Sequence, residues 1–187
     1  GDVMRYFARL ALLCAVLLFS VTLQFNVSGG NGNSSSSPRV EELPTEPIVE
    51  WMHVLYRLIE AERINPPNAA RFYAYAGITT YESLLPGMSS NNTLAGQIPS
   101  LPDLPFAESG VTYDWITVHN IAFSTVISNL FLNADPSTYE TINTHRNAQI
   151  EARTAEVGEE VVENSIGYGD DIGKALLEWI RDDGYSE

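Results

Sequence analysis

From Ile48 to Ile59 the residues Ile48, Trp51, Met52, Leu55, Leu58 and Ile59 recur at i, i+3, i+4, i+7, i+10 and i+11. Only a helix places that spacing on one face, so the stretch must bury one side against a partner. Thr45 is the predicted cap, and Pro47 falls in the first turn, where a missing N–H costs little. Asn65-Pro66-Pro67 stops this helix and starts another. The second helix runs to about Leu85. Its small residues Ala69, Ala70, Ala74, Ala76 and Gly77 predict a tightly packed, buried element, while Tyr73, Tyr75 and Tyr81 bring hydroxyls that need partners.

Three further helices follow. Trp115, Val118, Ala122, Val126 and Leu130 line one side of a third, over 114–132. After Asp135-Pro136, Ser137 and Glu140 stand at capping-box spacing and open a fourth, to about Ala155. That helix is polar nearly all round, which predicts a peripheral position or support from something outside it. Val161, Val162, Ile166, Ile172, Leu176, Trp179 and Ile180 mark a fifth, over 156–183, with Gly184 at its C-terminal cap. No alternating strand pattern competes in the folded region. The expectation is an all-α helical bundle with helices near 47–64, 67–85, 114–132, 137–155 and 156–183.

Between the second and third helices lies a long loop carrying Pro86, Pro99, Pro102 and Pro105 without a period. An unstructured loop of that length tends to be ordered against the surface, and Leu101, Leu104 and Phe106 are the residues expected to hold it there.

The N-terminal residues read as an address. Arg5 and Arg9 flank a short positive region, Leu10 to Val21 is apolar, and Val27-Ser28-Gly29 is the best small-residue cleavage site. Residues 1–29 are therefore expected to be a signal peptide or N-terminal anchor. Residues 30–44 are expected to be a flexible Gly/Ser/Asn-rich linker, and 45–187 a helical domain. The single cysteine, Cys14, sits in the apolar run, which excludes an intramolecular disulfide or a CxxC redox pair. Ten Lys+Arg stand against 24 Asp+Glu, a formal net charge of −14. Such a surface repels phosphate backbones, so no nucleic-acid partner is expected, and membrane contact only through an uncleaved anchor. The expected location is exported: periplasmic, extracellular or membrane-tethered.

The segment Asn65-Pro66-Pro67-Asn68-Ala69-Ala70-Arg71-Phe72-Tyr73-Ala74-Tyr75-Ala76-Gly77-Ile78-Thr79-Thr80-Tyr81-Glu82-Ser83 carries a resemblance. So do Leu85-Pro86-Gly87-Met88, Leu94-Ala95-Gly96-Gln97, Leu101-Pro102-Asp103-Leu104-Pro105, Tyr113-Asp114-Trp115 and the stretch from Trp179 to Tyr185. Together they resemble the N-terminal portion of bacterial vanadium-dependent haloperoxidase-like proteins, of the type-2 phosphatidic acid phosphatase superfamily. Coverage is roughly from Val40 onward. Thr80-Tyr81-Glu82-Ser83 departs mildly from the Ala-Tyr-Glu-Ala-like run of relatives. The resemblance implies an all-α fold whose complete form holds vanadate or phosphate through a Lys, an Arg-Pro pair, a Pro-Ser-Gly-His stretch and a later Ser-Arg followed by His. None of those motifs occurs here, and Pro136-Ser137-Thr138-Tyr139 lacks both the Gly and the His.

No catalytic, cofactor-binding or metal residue is therefore assigned, and vanadate is implied only for a full-length relative. The function expected is the N-terminal helical portion of an exported haloperoxidase-like or related phosphatase-like enzyme, not competent alone. Its partner would be the C-terminal catalytic helices of the same polypeptide. The alternative is a complete, non-catalytic secreted or tethered interaction domain. The enzyme-fragment reading also predicts that Trp51, Tyr73, Tyr81, Trp115 and Trp179 leave apolar surface exposed.

Glu50 and His53 have the Glu-x-x-His spacing of di-iron bundles, but the second such motif is missing around His119 and His145. Ser83 and Ser165 lie in helical contexts, away from any nucleophile elbow. Gly167-Tyr168-Gly169-Asp170-Asp171-Ile172-Gly173 is not a dinucleotide fingerprint and suggests close helix packing. The pairs Asp170-Asp171 and Asp182-Asp183 read as solvated carboxylates. Arg71 is expected in a buried ion pair with Glu82 or Glu60.

Overall fold

A computed structural model describes residues 36–182, which belong to one compact unit, Ser34–Glu187. The expectations for residues 1–29, for the linker up to residue 35 and for Gly184 lie outside the described residues.

The helices form where the apolar spacing put them: α1 (Glu46–Ala61), α2 (Pro66–Leu84), α3 (Trp115–Leu130), α4 (Pro136–Val157) and α5 (Glu159–Arg181). No strand occurs among the described residues. The fold is all-α, as expected.

The centre of the bundle is α3, which packs most extensively on α5 and then on α2 and α4, with α1 also against it. The one-sided stripe expected for α3 is incomplete. Thr117, His119, Asn120 and Ser124 are buried along with the apolar residues, so the helix is enclosed on every side. The core has two parts. On one flank of α3, Val118, Ala122 and Val126 meet Tyr168, Ile172 and Leu176 of α5. On the other, Phe123 and Ile127 meet Trp51, Leu55 and Leu58 of α1 and Phe72 of α2. The α1 stripe lies where its spacing predicted, with Trp51 and Leu55 fully buried.

Close backbone approach occurs at two glycines of α5. A Cβ added at Gly169 would stand 2.6 Å from the Val118 carbonyl oxygen, and one at Gly173 would stand 3.0 Å from Cβ of Thr125. The small residues of α2 are divided: Ala70, Ala74 and Gly77 are exposed, with nothing within 4 Å of a Cβ at Gly77, and Ala69 is half-buried. Of the small residues, Ala76 is fully buried, beside Phe72 and Tyr75.

Helix ends depart from the predicted caps. Asn65 caps α2 by accepting from the Asn68 amide at 3.0 Å, and Asp114 caps α3 through Thr117. Thr45 stands at the start of α1 with a helical backbone and no side-chain cap bond. At α4 the cap position is Asp135 and not Ser137, and its side chain makes no cap bond. Glu62, after α1, does that work: it accepts from the Asp135 amide at 3.0 Å and from the Thr138 hydroxyl. Between α4 and α5 the chain turns at Gly158, with φ +91°, a conformation other residues rarely adopt.

The long loop is tied down by its carbonyls. Tyr81 donates to Asn92 O at 2.7 Å, Tyr168 to Pro105 O at 2.9 Å and the Trp179 indole to Pro99 O at 3.3 Å. Leu101 is buried and Leu104 packs on the core, as expected. Phe106 does not: it is 87% exposed. Residues 37–43, anticipated as the end of the linker, are also docked. Ser37 accepts from the Tyr113 amide at 2.8 Å, Pro38 O accepts from the Trp115 indole at 2.7 Å, and Val40 and Leu43 pack on the core.

The anticipated aromatic exposure is corrected. Trp51, Trp115 and Trp179 are all buried, and Tyr73 and Tyr81 are half-buried. Among the described residues, the large apolar side chains left in solvent are Val49, Tyr56, Phe106 and Leu132.

Candidate functional site

A buried polar node joins three helices. Asp114 ends the long loop and accepts from Arg153 of α4 through both oxygens: Nε to Oδ2 at 3.0 Å and Nη2 to Oδ1 at 2.8 Å. Its Oδ2 also accepts from the Thr117 amide and hydroxyl, at 3.0 and 2.7 Å. The Asp114 amide donates to Ser165 Oγ at 2.8 Å, and that hydroxyl donates to Val161 O of α5. Arg153 further bonds Glu156, whose side chain is exposed. Every charge here has a partner, so the node is equipped to hold helices rather than a ligand. Sequence reasoning missed it. The one signal was an arginine toward the C-terminal end of a polar helix, and nothing local says which carboxylate it meets.

The histidines are spread apart. His53 and Glu50 are exposed on α1. His119 is fully buried; burial pushes its pKa down to about 3, so it is neutral, with Nε2 3.2 Å from Thr80 Oγ1 and Nδ1 without a partner. His145 is held below the usual imidazole range by burial, lies edge-on to Trp51 at 4.5 Å between ring centroids and contacts Gln149. Among the described residues no group of three or more His, Cys, Asp or Glu could hold a metal ion. Neither candidate serine bonds a histidine: Ser83 donates to Thr80 O, and Ser165 belongs to the node above.

Arg71 is placed otherwise than expected. It donates to the Tyr75 hydroxyl at 2.6 Å and lies over the Tyr75 ring. Glu60 accepts from Tyr56, and Glu82 is buried and turned to the loop. Arg71 and Arg181 border a cavity of about 210 Å³ whose walls are otherwise mainly apolar, including Phe72, Leu130 and Leu177. Lys174 pairs with Asp170 on the surface at 2.5 Å. Asp171 and Asp182 are exposed, as solvated carboxylates should be.

These residues do not fit vanadate. A tetrahedral oxyanion needs converging cations and N–H donors with a histidine beside them. No histidine borders the Arg71–Arg181 cavity, Arg153 is committed to Asp114 and Glu156, and His119 is sealed and neutral. The Pro136-Ser137-Thr138-Tyr139 look-alike is the first turn of α4, where Glu62 already supplies a carboxylate to the helix N-terminus.

A second pocket, half open to solvent, lies between the long loop and α5. Leu85, Pro86, Leu104, Phe106, Tyr168 and Ile172 wall a cavity of about 240 Å³, into which Glu82, Thr93 and Asp103 bring polar groups. Burial, with smaller contributions from the nearby Tyr113 and Glu82, pushes the Tyr168 phenol up to about 12.

No family model matches the sequence, and no curated protein matches it. Among solved structures, the fold is similar to that of a bacterial vanadium-dependent iodoperoxidase, with a TM-score of 0.69 at 18% sequence identity. The similarity covers 81% of this chain and 35% of that one, so the chain spans about a third of the iodoperoxidase. At that identity the likeness speaks for the fold: the helices are arranged as in part of a vanadium haloperoxidase.

Proposed function

We propose that this chain forms the N-terminal helical layer of an exported vanadium-haloperoxidase-like, or related phosphatase-like, enzyme, with the oxyanion-holding groups supplied by helices outside it. The observation that carries the proposal is the unequal coverage, 81% of this chain against 35% of the iodoperoxidase. The way the cations are deployed supports it. Arg153 binds α4 to the start of α3, and Lys174 pairs along α5. The layer's work is to present a rigid, acidic scaffold on which anion-binding helices are positioned.

The coding sequence after Glu187 tests the reading first. Continuation in frame into Arg-Pro, Pro-Ser-Gly-His and Ser-Arg motifs is expected, whereas an immediate stop codon favours a complete interaction domain. Orthovanadate tests it in solution. A ligand that binds only the native state stabilises it by about 2.7 kcal/mol at a hundredfold excess over Kd. Thermal melts at constant ionic strength should show no shift for this chain in millimolar orthovanadate and a clear rise for the extended protein. A saturable shift in this chain alone, lost in Arg71→Ala, would overturn the proposal and move the anion site into the described helices.

A further inference from the structure

Glu82 is a buried carboxylate, 3% exposed, at the wall of the cavity between the long loop and α5. Its donors are few. Leu94 N lies 2.6 Å from Oε1, and the Thr93 hydroxyl lies 3.1 and 3.0 Å from the two oxygens but carries a single proton. An ionised carboxylate offers roughly four acceptor positions, so about half remain open. Among the described residues no lysine or arginine forms an ion pair with Glu82, and none borders the cavity. The other charged group at the rim is a second acid, Asp103.

The remaining walls are apolar and aromatic. Tyr168 is buried with its hydroxyl turned to Pro105 O. Phe106 is held out by the loop at 87% exposure and borders this cavity and two that adjoin it. A neutral apolar molecule would leave the carboxylate uncompensated, and an anion would be repelled by both acids. A divalent metal ion needs a shell of oxygens that apolar walls do not provide. A cation carried on a short hydrocarbon body satisfies all the walls at once: its N–H donors reach the open carboxylate positions, and its charge lies against aromatic faces.

We propose that the cavity formed by Glu82, Leu104, Phe106, Tyr168 and Ile172 binds a small organic ammonium ion, with Glu82 as its anchor and Phe106 as its outer wall. A space of about 240 Å³ suits an amine of a few carbons and is too small for a folded peptide. The proposal rests on this chain's own residues and is independent of the enzyme reading above.

NMR titration of the full chain with n-butylammonium chloride, at constant ionic strength and neutral pH, tests it. Saturable shifts are expected at the amides of Leu94, Leu104 and Ala107, with a millimolar Kd. The neutral analogue 1-butanol should bind at least about tenfold more weakly, because it offers no charge-assisted bond. Phe106→Ala and Asp103→Asn both alter exposed side chains, so the fold should survive them. Phe106→Ala should weaken butylammonium about two- to fivefold. Glu82→Gln should abolish the preference for the ammonium over the alcohol, with circular dichroism checking that the loop anchor still folds. Shifts that fail to saturate, equal binding of the alcohol, or unchanged affinity in Phe106→Ala would each overturn the proposal. The first and third of these results would mean that the amine merely condenses on an acidic surface.

Discussion

Arg153 and Asp114 are 39 positions apart in sequence, yet they form a doubly hydrogen-bonded ion pair that is nearly inaccessible to water. Removing one partner of such a pair leaves an uncompensated buried charge, which costs about 3–5 kcal/mol. Arg153→Ala should therefore lower the unfolding free energy by about that amount in urea titrations. A loss of under about 1 kcal/mol would be the size of an exposed pair and would show that the node does not hold the helices. His119 makes a second prediction. Its folded pKa of about 3 lies below the unfolded value of 6.5, so between those values the unfolded chain binds more protons. Stability is thus intact above pH 6.5 and declines as pH falls toward 3. From this group alone the loss between pH 7 and pH 5 is about 2 kcal/mol. His119→Gln should flatten that interval of the stability profile, and an unchanged slope in the variant would assign the pH dependence elsewhere. Neither residue's role was legible in advance. A side chain's burial depends on what packs over it: His119 stands outside the apolar stripe read for α3, and Arg153 on a helix that reads as polar nearly all round.

Helices were legible because their cause is local. The spacing of apolar residues and the prolines at 47, 66, 67 and 136 placed all five helices within a few residues of their observed ends. Caps were less so, since a carboxylate from elsewhere in the chain can bond the residues that open a helix, as Glu62 does with the Asp135 amide and the Thr138 hydroxyl at α4. Glycines divide the same way. In an exposed helix, glycine costs about 1 kcal/mol against alanine. Gly77→Ala, with open space around it, should thus raise the unfolding free energy by about that much. Gly169→Ala gains the same propensity but drives a methyl to 2.6 Å from the Val118 carbonyl oxygen, so α3 and α5 must separate. Overpacking of that kind costs about 1–3 kcal/mol, which outweighs the gain. Paired chemical denaturation of the two variants should give opposite signs. Stabilisation by both would mean that α5 slides along α3 without penalty.

At the scale of the whole molecule the described helices enclose their aromatic core. All three tryptophans are buried, one on α1, one at the start of α3 and one near the end of α5. Emission should therefore be blue-shifted in the native state and move to the red on unfolding. Because α3 touches every other helix, the fluorescence transition should coincide with the loss of helical circular dichroism. Two separated transitions would show that the flanks of α3 fold independently. The sequence by itself determined the helix count, the helix type and the docking of the proline-rich loop, because periodicity, breakers and apolar content act over a few residues. It also carried the resemblance that the iodoperoxidase-like arrangement supports at the level of fold. Only the tertiary structure decided that α3 lies at the centre, that α5 supplies the close approach, and that Phe106 stands in solvent above a carboxylate-lined cavity. Those outcomes depend on which faces meet, and a face with small or mixed residues matches several partners almost equally until the whole bundle has packed.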